Sequence, residues 1–189
     1  MTTIVVVRKD RSAVIAADSL TTFGTTRLAP AYDRHPHKVA SYGDSFLGVA
    51  GSAAHQLVLE NLLARTPGLD FHGKAAIYDT FRKLHPILKD EAFLNPKEEE
   101  DDPYESSQMT VMIVNPSGIF AVYSMREVFE FDRFWAIGSG RDFALGAMYT
   151  LYGDSSSAAL VAKAGVMAGA EFDTGTSTPI TLNEVILKE

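Results

Sequence analysis

Two stretches near the start of the chain, residues 2–7 and 13–17, are apolar almost without interruption and rich in β-branched side chains. A strand with one face in water alternates apolar and polar residues, whereas a continuously apolar strand needs cover on both faces. The charged and polar residues 8–12 between them read as a hairpin turn. Further layers must therefore come from the rest of the chain. With 189 residues, 46% of them hydrophobic, one globular domain over residues 1–189 can supply them.

Residues 21–37 hold Gly24, Pro30 and Pro36 and read as irregular loop or edge structure. Short strands follow at 38–42 and 46–50, around Gly43-Asp44. Gly51 opens a helical stretch with Leu57, Leu59, Leu62 and Leu63 as its apolar stripe, and Pro67-Gly68 ends it. A second helix covers 74–89, with Ala76, Ile77, Phe81 and Leu84 on one side and Pro86 placed to kink it. Strands resume at 109–114, 119–124, 128–131 and 134–137. Helices at 141–152 and 156–169 come next, the second capped by Asp154 or Ser155, and a strand at 180–187 closes the chain. This order predicts an α+β fold of two antiparallel sheets, each with a helix pair over one outer face. Met109, Met112, Met125, Met148 and Met167 sit in apolar runs and are expected in the core.

Several function classes drop out. A net charge of −7 argues against nucleic-acid partners, and no apolar run approaches the roughly 20 residues that span a bilayer. The absence of cysteine excludes disulfides, thiolate metal sites and a Cys nucleophile. Asn115-Pro116-Ser117 is no glycosylation acceptor, because Pro occupies its middle position. No leader-like segment stands before Thr2, so the expected location is cytoplasmic. The charged run from Lys97 to Asp102 reads as a solvated loop in preference to a metal-binding cluster. His35 and His37 flank Pro36 without a third ligand nearby and read as surface residues. Gly138-Ser139-Gly140 lacks the third glycine of a dinucleotide loop and follows hairpin strands, so a nucleotide site is rejected. No cofactor and no metal are expected.

The chemistry starts at Thr2. Met1 precedes a small residue and is expected to be trimmed, which would unite a hydroxyl nucleophile and a free α-amine on Thr2. Such an amine has a pKa of roughly 7.7–8.0 and can accept a proton near neutral pH. Asp18 ends the second strand and would lie close to Thr2 if the first two strands pair antiparallel. Lys38 opens the third strand; taken with Thr2 and Asp18 it makes a Thr/Lys/Asp site in which the lysine eases alkoxide formation and the carboxylate holds it. Residues 48–54 are a strand-to-helix junction of small residues whose backbone N–H groups can face an oxyanion.

Thr2-Thr3-Ile4-Val5-Val6-Val7, Val14-Ile15-Ala16-Ala17-Asp18, Gly48-Val49-Ala50-Gly51 and Ala136-Ile137-Gly138-Ser139-Gly140 together resemble proteasome β-type subunits, over nearly the whole chain. The likeness is strongest to the bacterial HslV branch, and within it to the bacterial proteasome homologue (BPH) of β-proteobacteria. It implies an N-terminal nucleophile (Ntn) hydrolase with a four-layer αββα sandwich. By the same resemblance Thr2 is the nucleophile and its amine the base. Lys38 and Asp18 tune it, Gly51 serves the oxyanion, and Ser139 orients the amine. Thr22 and Ala53 would pair with substrate backbone, and Val49 would floor the side-chain pocket. The family's carboxylate near the last helix is placed at Glu171 with Thr174 after it, Asp173 with Thr176 being the other register. His55 stands where the family often has Asp.

The resemblance implies a threonine endopeptidase acting on unfolded polypeptide or peptides through an acyl-ester. It would assemble as a homo-oligomeric double ring, heptameric in preference to hexameric, with an ATP-dependent unfoldase as a candidate partner. Leu187-Lys188-Glu189 offers no recognisable docking tail. The rival readings are a catalytically silent ring or scaffold subunit of the same fold, and an Ntn amidohydrolase of small amides.

Overall fold

The computed structural model describes residues 1–97, 99–155 and 157–188. Glu98 of the acidic run, Ser156 at the expected start of the last helix, and Glu189 of the C-terminal tripeptide lie outside the described residues. Strands β1 (Thr3–Lys9) and β2 (Ser12–Ala17) run further than the sequence predicts, leaving only Asp10-Arg11 as the turn, with Asp10 at φ 53°. The segment expected to be irregular contains a small hairpin, β3 (Thr21–Phe23) against β4 (Thr26–Leu28), and then a single 3₁₀ turn at Pro30–Tyr32. After it come β5 (Val39–Tyr42), β6 (Ser45–Ala50), α1 (Ala53–Arg65) and α2 (Lys74–Asp90). The second half adds β7 (Thr110–Asn115), β8 (Gly118–Val122), β9 (Val128–Phe131) and β10 (Phe134–Gly138). Helices α3 (Arg141–Tyr152) and α4 (Ala158–Phe172) and strand β11 (Thr181–Ile186) complete it.

One sheet has the order β10-β1-β2-β11 and the other β5-β6-β7-β8-β9, with antiparallel neighbours throughout. They stack face to face. Ile4, Val6, Ala13, Ile15 and Ala17 meet Met112, Val114, Ile119 and Ala121 between them. The alternate residues Val5, Val7, Val14 and Ala16 turn outward onto Ala144, Met148, Val161 and Val166 of α3 and α4. On the far side, Leu47, Val111, Ile113 and Phe120 pack under Leu59, Leu62, Ile77 and Phe81 of α1 and α2. The result is the αββα sandwich, and it explains why β1 and β2 are apolar on both faces: each is buried between a sheet and a helix layer. Gly48 lets the sheets approach, because a Cβ there would lie 3.0 Å from Ile4 Cγ2.

Three local expectations need correction. Leu57 is 70% exposed, since Leu59, Leu62 and Leu63 follow the i, i+3, i+4 face and Leu57 falls off it. Helix α4 is capped by Ser157, whose side chain accepts from the Leu160 N–H, and not by Asp154 or Ser155. Met167 is exposed on the outer side of α4 and Met125 is only half-buried, whereas Met109, Met112 and Met148 are core. Helix α2 runs through Pro86 to Asp90, with the proline on its exposed side.

Candidate active site

Strand register assembles the site. β1 pairs with β10 so that Thr3 faces Gly138, and with β2 so that Ile4 faces Ala17. Ser139 and Asp18, each one residue beyond its strand, therefore flank Thr2 on either side. Lys38 precedes β5 in the opposite sheet and reaches across to them. Thr2, Asp18 and Lys38 are all buried, Asp18 completely.

Asp18 is held by five donors. Its Oδ1 accepts from Thr2 Oγ1 at 2.7 Å, the Thr3 N–H at 2.9 Å and Lys38 Nζ at 2.8 Å. Its Oδ2 accepts from the N–H groups of Leu20 at 2.9 Å and Ser177 at 3.3 Å. Lys38 spends its three protons on Asp18, on Thr2 Oγ1 at 2.9 Å, and on the Met1 carbonyl at 3.4 Å. Burial pushes the Lys38 pKa below its ordinary value, and the nearby Asp18 and Asp173 carboxylates offset only part of that. The hydroxyl of Thr2 thus hydrogen-bonds to a carboxylate and has an ammonium beside its oxygen.

On the other side, the Thr2 N–H donates to Ser139 Oγ at 3.2 Å, and Ser139 Oγ donates to Asp173 Oδ2 at 2.7 Å. The same carboxylate oxygen accepts from Thr176 Oγ1 at 2.6 Å. Burial raises the Asp173 pKa, but hydrogen bonds from Thr176, Ser139 and the Gly175 N–H, with the charge of the Met1 α-amino group, outweigh it and hold the carboxyl below its ordinary range. The structure therefore brings Asp173 and Thr176, the pair of the second register, to Ser139. Glu171 and Thr174 are both exposed, Glu171 in the last turn of α4, while Asp173 just past the helix end turns back to Ser139. The signal was present in sequence: only the Asp173/Thr176 register keeps an Asp followed three residues later by a hydroxyl. Ser177, whose N–H reaches Asp18, carried no such signal.

A cavity of about 270 Å³ opens beside Thr2, lined among others by Thr22, Val49, Gly51, Ala53 and Gln56. Thr22, Val49, Gly51 and Ala53, to which the resemblance gives separate substrate and oxyanion roles, are brought together in this lining. Gly51 has φ +152°, and a Cβ there would come within 2.9 Å of His55 Nδ1. That ring nitrogen is the acceptor for the Ser52 N–H at the start of α1, while the Ser52 hydroxyl accepts in return from the helix backbone. His55 thus does the capping work of an acidic residue. Among the described residues, no three His, Asp or Glu side chains converge in a way that could hold a metal ion.

No protein-family model matches the chain, and neither does any curated protein. Among solved structures it is similar to BPH of Thiobacillus denitrificans in complex with epoxomicin. The two are 38% identical over 99% of this chain and 100% of that one, with a TM-score of 0.92. A second structure of that protein matches at 38% identity over 98% of each chain, also with a TM-score of 0.92. Eukaryotic HslV from Trypanosoma brucei shares the fold, at 20% identity, 97% and 99% coverage, and a TM-score of 0.72.

Proposed function

Because the chain belongs to the proteasome β-type, HslV-like family, we propose that it is an N-terminal-threonine endopeptidase, working inside a chamber built from copies of itself. Removal of Met1 would turn the Thr2 nitrogen into a free amine. Thr2 Oγ1 then attacks a peptide carbonyl while the amine takes its proton. Lys38 lowers the cost of the developing alkoxide, and Asp18 keeps Lys38 charged and aimed. The Gly51 N–H faces the oxyanion. The protonated amine returns its proton to the departing peptide nitrogen, leaving an acyl-ester on Thr2. Water, deprotonated by the same amine, releases the acyl group. Thr22 and Ala53 pair with substrate backbone, and Val49 forms part of the side-chain pocket.

The observation that carries this reading is Lys38 Nζ lying within 2.9 Å of both Thr2 Oγ1 and Asp18 Oδ1 at the wall of an open cavity. Unfolded polypeptide is the proposed substrate, a heptameric double ring the favoured assembly, and an ATP-dependent unfoldase the candidate partner. Epoxomicin, found with the T. denitrificans relative, is the natural probe. Intact-protein mass should show loss of Met1 and a single adduct that Thr2→Ala abolishes. A chain that keeps Met1, or a trimmed chain that takes no label, would favour a silent ring subunit.

A further inference from the structure

Alternation along β1 sends Ile4 and Val6 between the sheets and Val5 and Val7 toward α4. Thr2 and Thr3 consequently face opposite ways. Thr3 is completely buried, and its hydroxyl occupies a slot walled by Gly140 and Gly169. A Cβ on Gly140 would overlap Thr3 Oγ1, and one on Gly169 would lie 2.6 Å from it. Within the slot, Thr3 Oγ1 lies 2.7 Å from Thr176 Oγ1, itself buried.

A hydroxyl has one hydrogen, which settles the direction of every bond here. Thr176 gives its proton to Asp173 at 2.6 Å, so Thr3 must donate to Thr176. Ser139 gives its proton to Asp173 at 2.7 Å in preference to the Thr2 carbonyl at 3.3 Å, which leaves a Ser139 lone pair for the Thr2 N–H. The chain runs from Thr3 to Thr176 to Asp173, which also receives Ser139, and Ser139 in turn receives the Thr2 nitrogen.

We propose that Thr3 is a positioning residue for the neighbouring nucleophile: its hydroxyl commits Thr176 to Asp173, Asp173 holds Ser139 as donor, and Ser139 is left to accept from the Thr2 amine. One amine hydrogen is thereby tied to Ser139, and the nitrogen lone pair stays free for the Thr2 hydroxyl proton. Donation into Thr176 also polarises it and strengthens its bond to the carboxylate. The inference rests on the peptidase reading and adds to it a residue whose side chain lies on the opposite face of the strand from the substrate cavity.

The test separates hydroxyl from shape. Thr3→Val keeps the shape and loses the hydroxyl, whereas Thr3→Ser keeps the hydroxyl and loses the methyl. With the full chain and a short fluorogenic peptide, Thr3→Val should lose about three- to tenfold in kcat with KM nearly unchanged, the worth of one hydrogen bond. Thr3→Ser should retain kcat near wild type. Equal kcat in Thr3→Val, or an equal loss in Thr3→Ser, would overturn the proposal. Should Thr3→Val not fold, Thr3→Ala against Thr3→Ser isolates the same hydroxyl, and Ala is expected to be the slower. Crystal structures of wild type and Thr3→Val give a readout independent of turnover. Thr176 should rotate away from Asp173, and the Ser139 contact to the Thr2 nitrogen should lengthen. An unchanged arrangement refutes the role of Thr3 even if wild type hydrolyses no peptide, an outcome that would count against the peptidase reading alone.

Discussion

At Lys38 burial and charge pull in opposite directions, and burial prevails, so its pKa lies below the usual 10.5. Between the folded value and 10.5 the unfolded chain binds the proton more tightly, so stability rises with pH through that window. Activity should move the other way, because the ammonium is needed beside Thr2 Oγ1. The alkaline limb of kcat/KM is therefore expected below pH 10.5, measurable as a pH–rate profile with a short peptide. Lys38→Ala should cut kcat/KM by about a hundredfold or more, the size of effect seen when one transition-state charge partner is lost. Asp173 gives a sharper comparison with Glu171. Asp173→Asn should reduce kcat/KM by about tenfold or more, as Ser139 loses its charged acceptor, while Glu171→Gln leaves it unchanged. The reverse result would restore the register first read from sequence. Spacing alone fits both registers; an Asp followed three residues later by a hydroxyl is found only in the second, and the end of α4 at Phe172 leaves Glu171 on the helix and Asp173 just beyond it.

Among the elements, the start of α1 is where a sequence departure acquires a physical role. His55 must be neutral at Nδ1 to accept from the Ser52 N–H, and burial lowers its pKa below 6.5. A folded-state pKa below the unfolded one means the stabilisation is full above the unfolded value and is lost as pH falls through the folded one. Chemical denaturation should therefore show wild type losing about 1 kcal/mol of this cap's contribution on acidification. His55→Asp should retain an acceptor across the same range and gain from the positive helix end. Helix α2 offers a simpler test. Pro86 is exposed and cannot donate to the carbonyl one turn earlier, so Pro86→Ala should stabilise the protein by about 1–3 kcal/mol, read from the denaturant midpoint.

For the whole molecule, the outer side of α3 and α4 leaves large apolar groups in solvent. Phe143, Tyr149, Leu160, Met167 and Phe172 are all exposed, and Phe143 and Phe172 sit ring against ring at 5.6 Å. A surface of this kind suits contact with further copies of the chain. Under the proposed function, native mass spectrometry should find a doubled ring, and Leu160→Glu should reduce its population without unfolding the chain. A monomer that still labels at Thr2 would refute the chamber while leaving the chemistry standing.

Much of this architecture was legible in the amino-acid sequence, because the information was local. Continuous apolar character in β1 and β2 demanded cover on both faces. The element order then supplied two sheets and two helix pairs, and Thr2, Asp18, Lys38 and Ser139 could each be placed at an element's end. Only the tertiary structure decided which of these ends meet. Strand register brings Ser139 and Asp18 to Thr2, a lysine from the opposite sheet closes the site, and the end of α4 chooses Asp173 over Glu171. Hydrogen-bond direction belongs to the same class. That Thr3 donates into the Asp173 network depends on Thr176 and Ser139 sharing one carboxylate while Thr3 meets Thr176 from 173 positions away, a relation that no local pattern encodes.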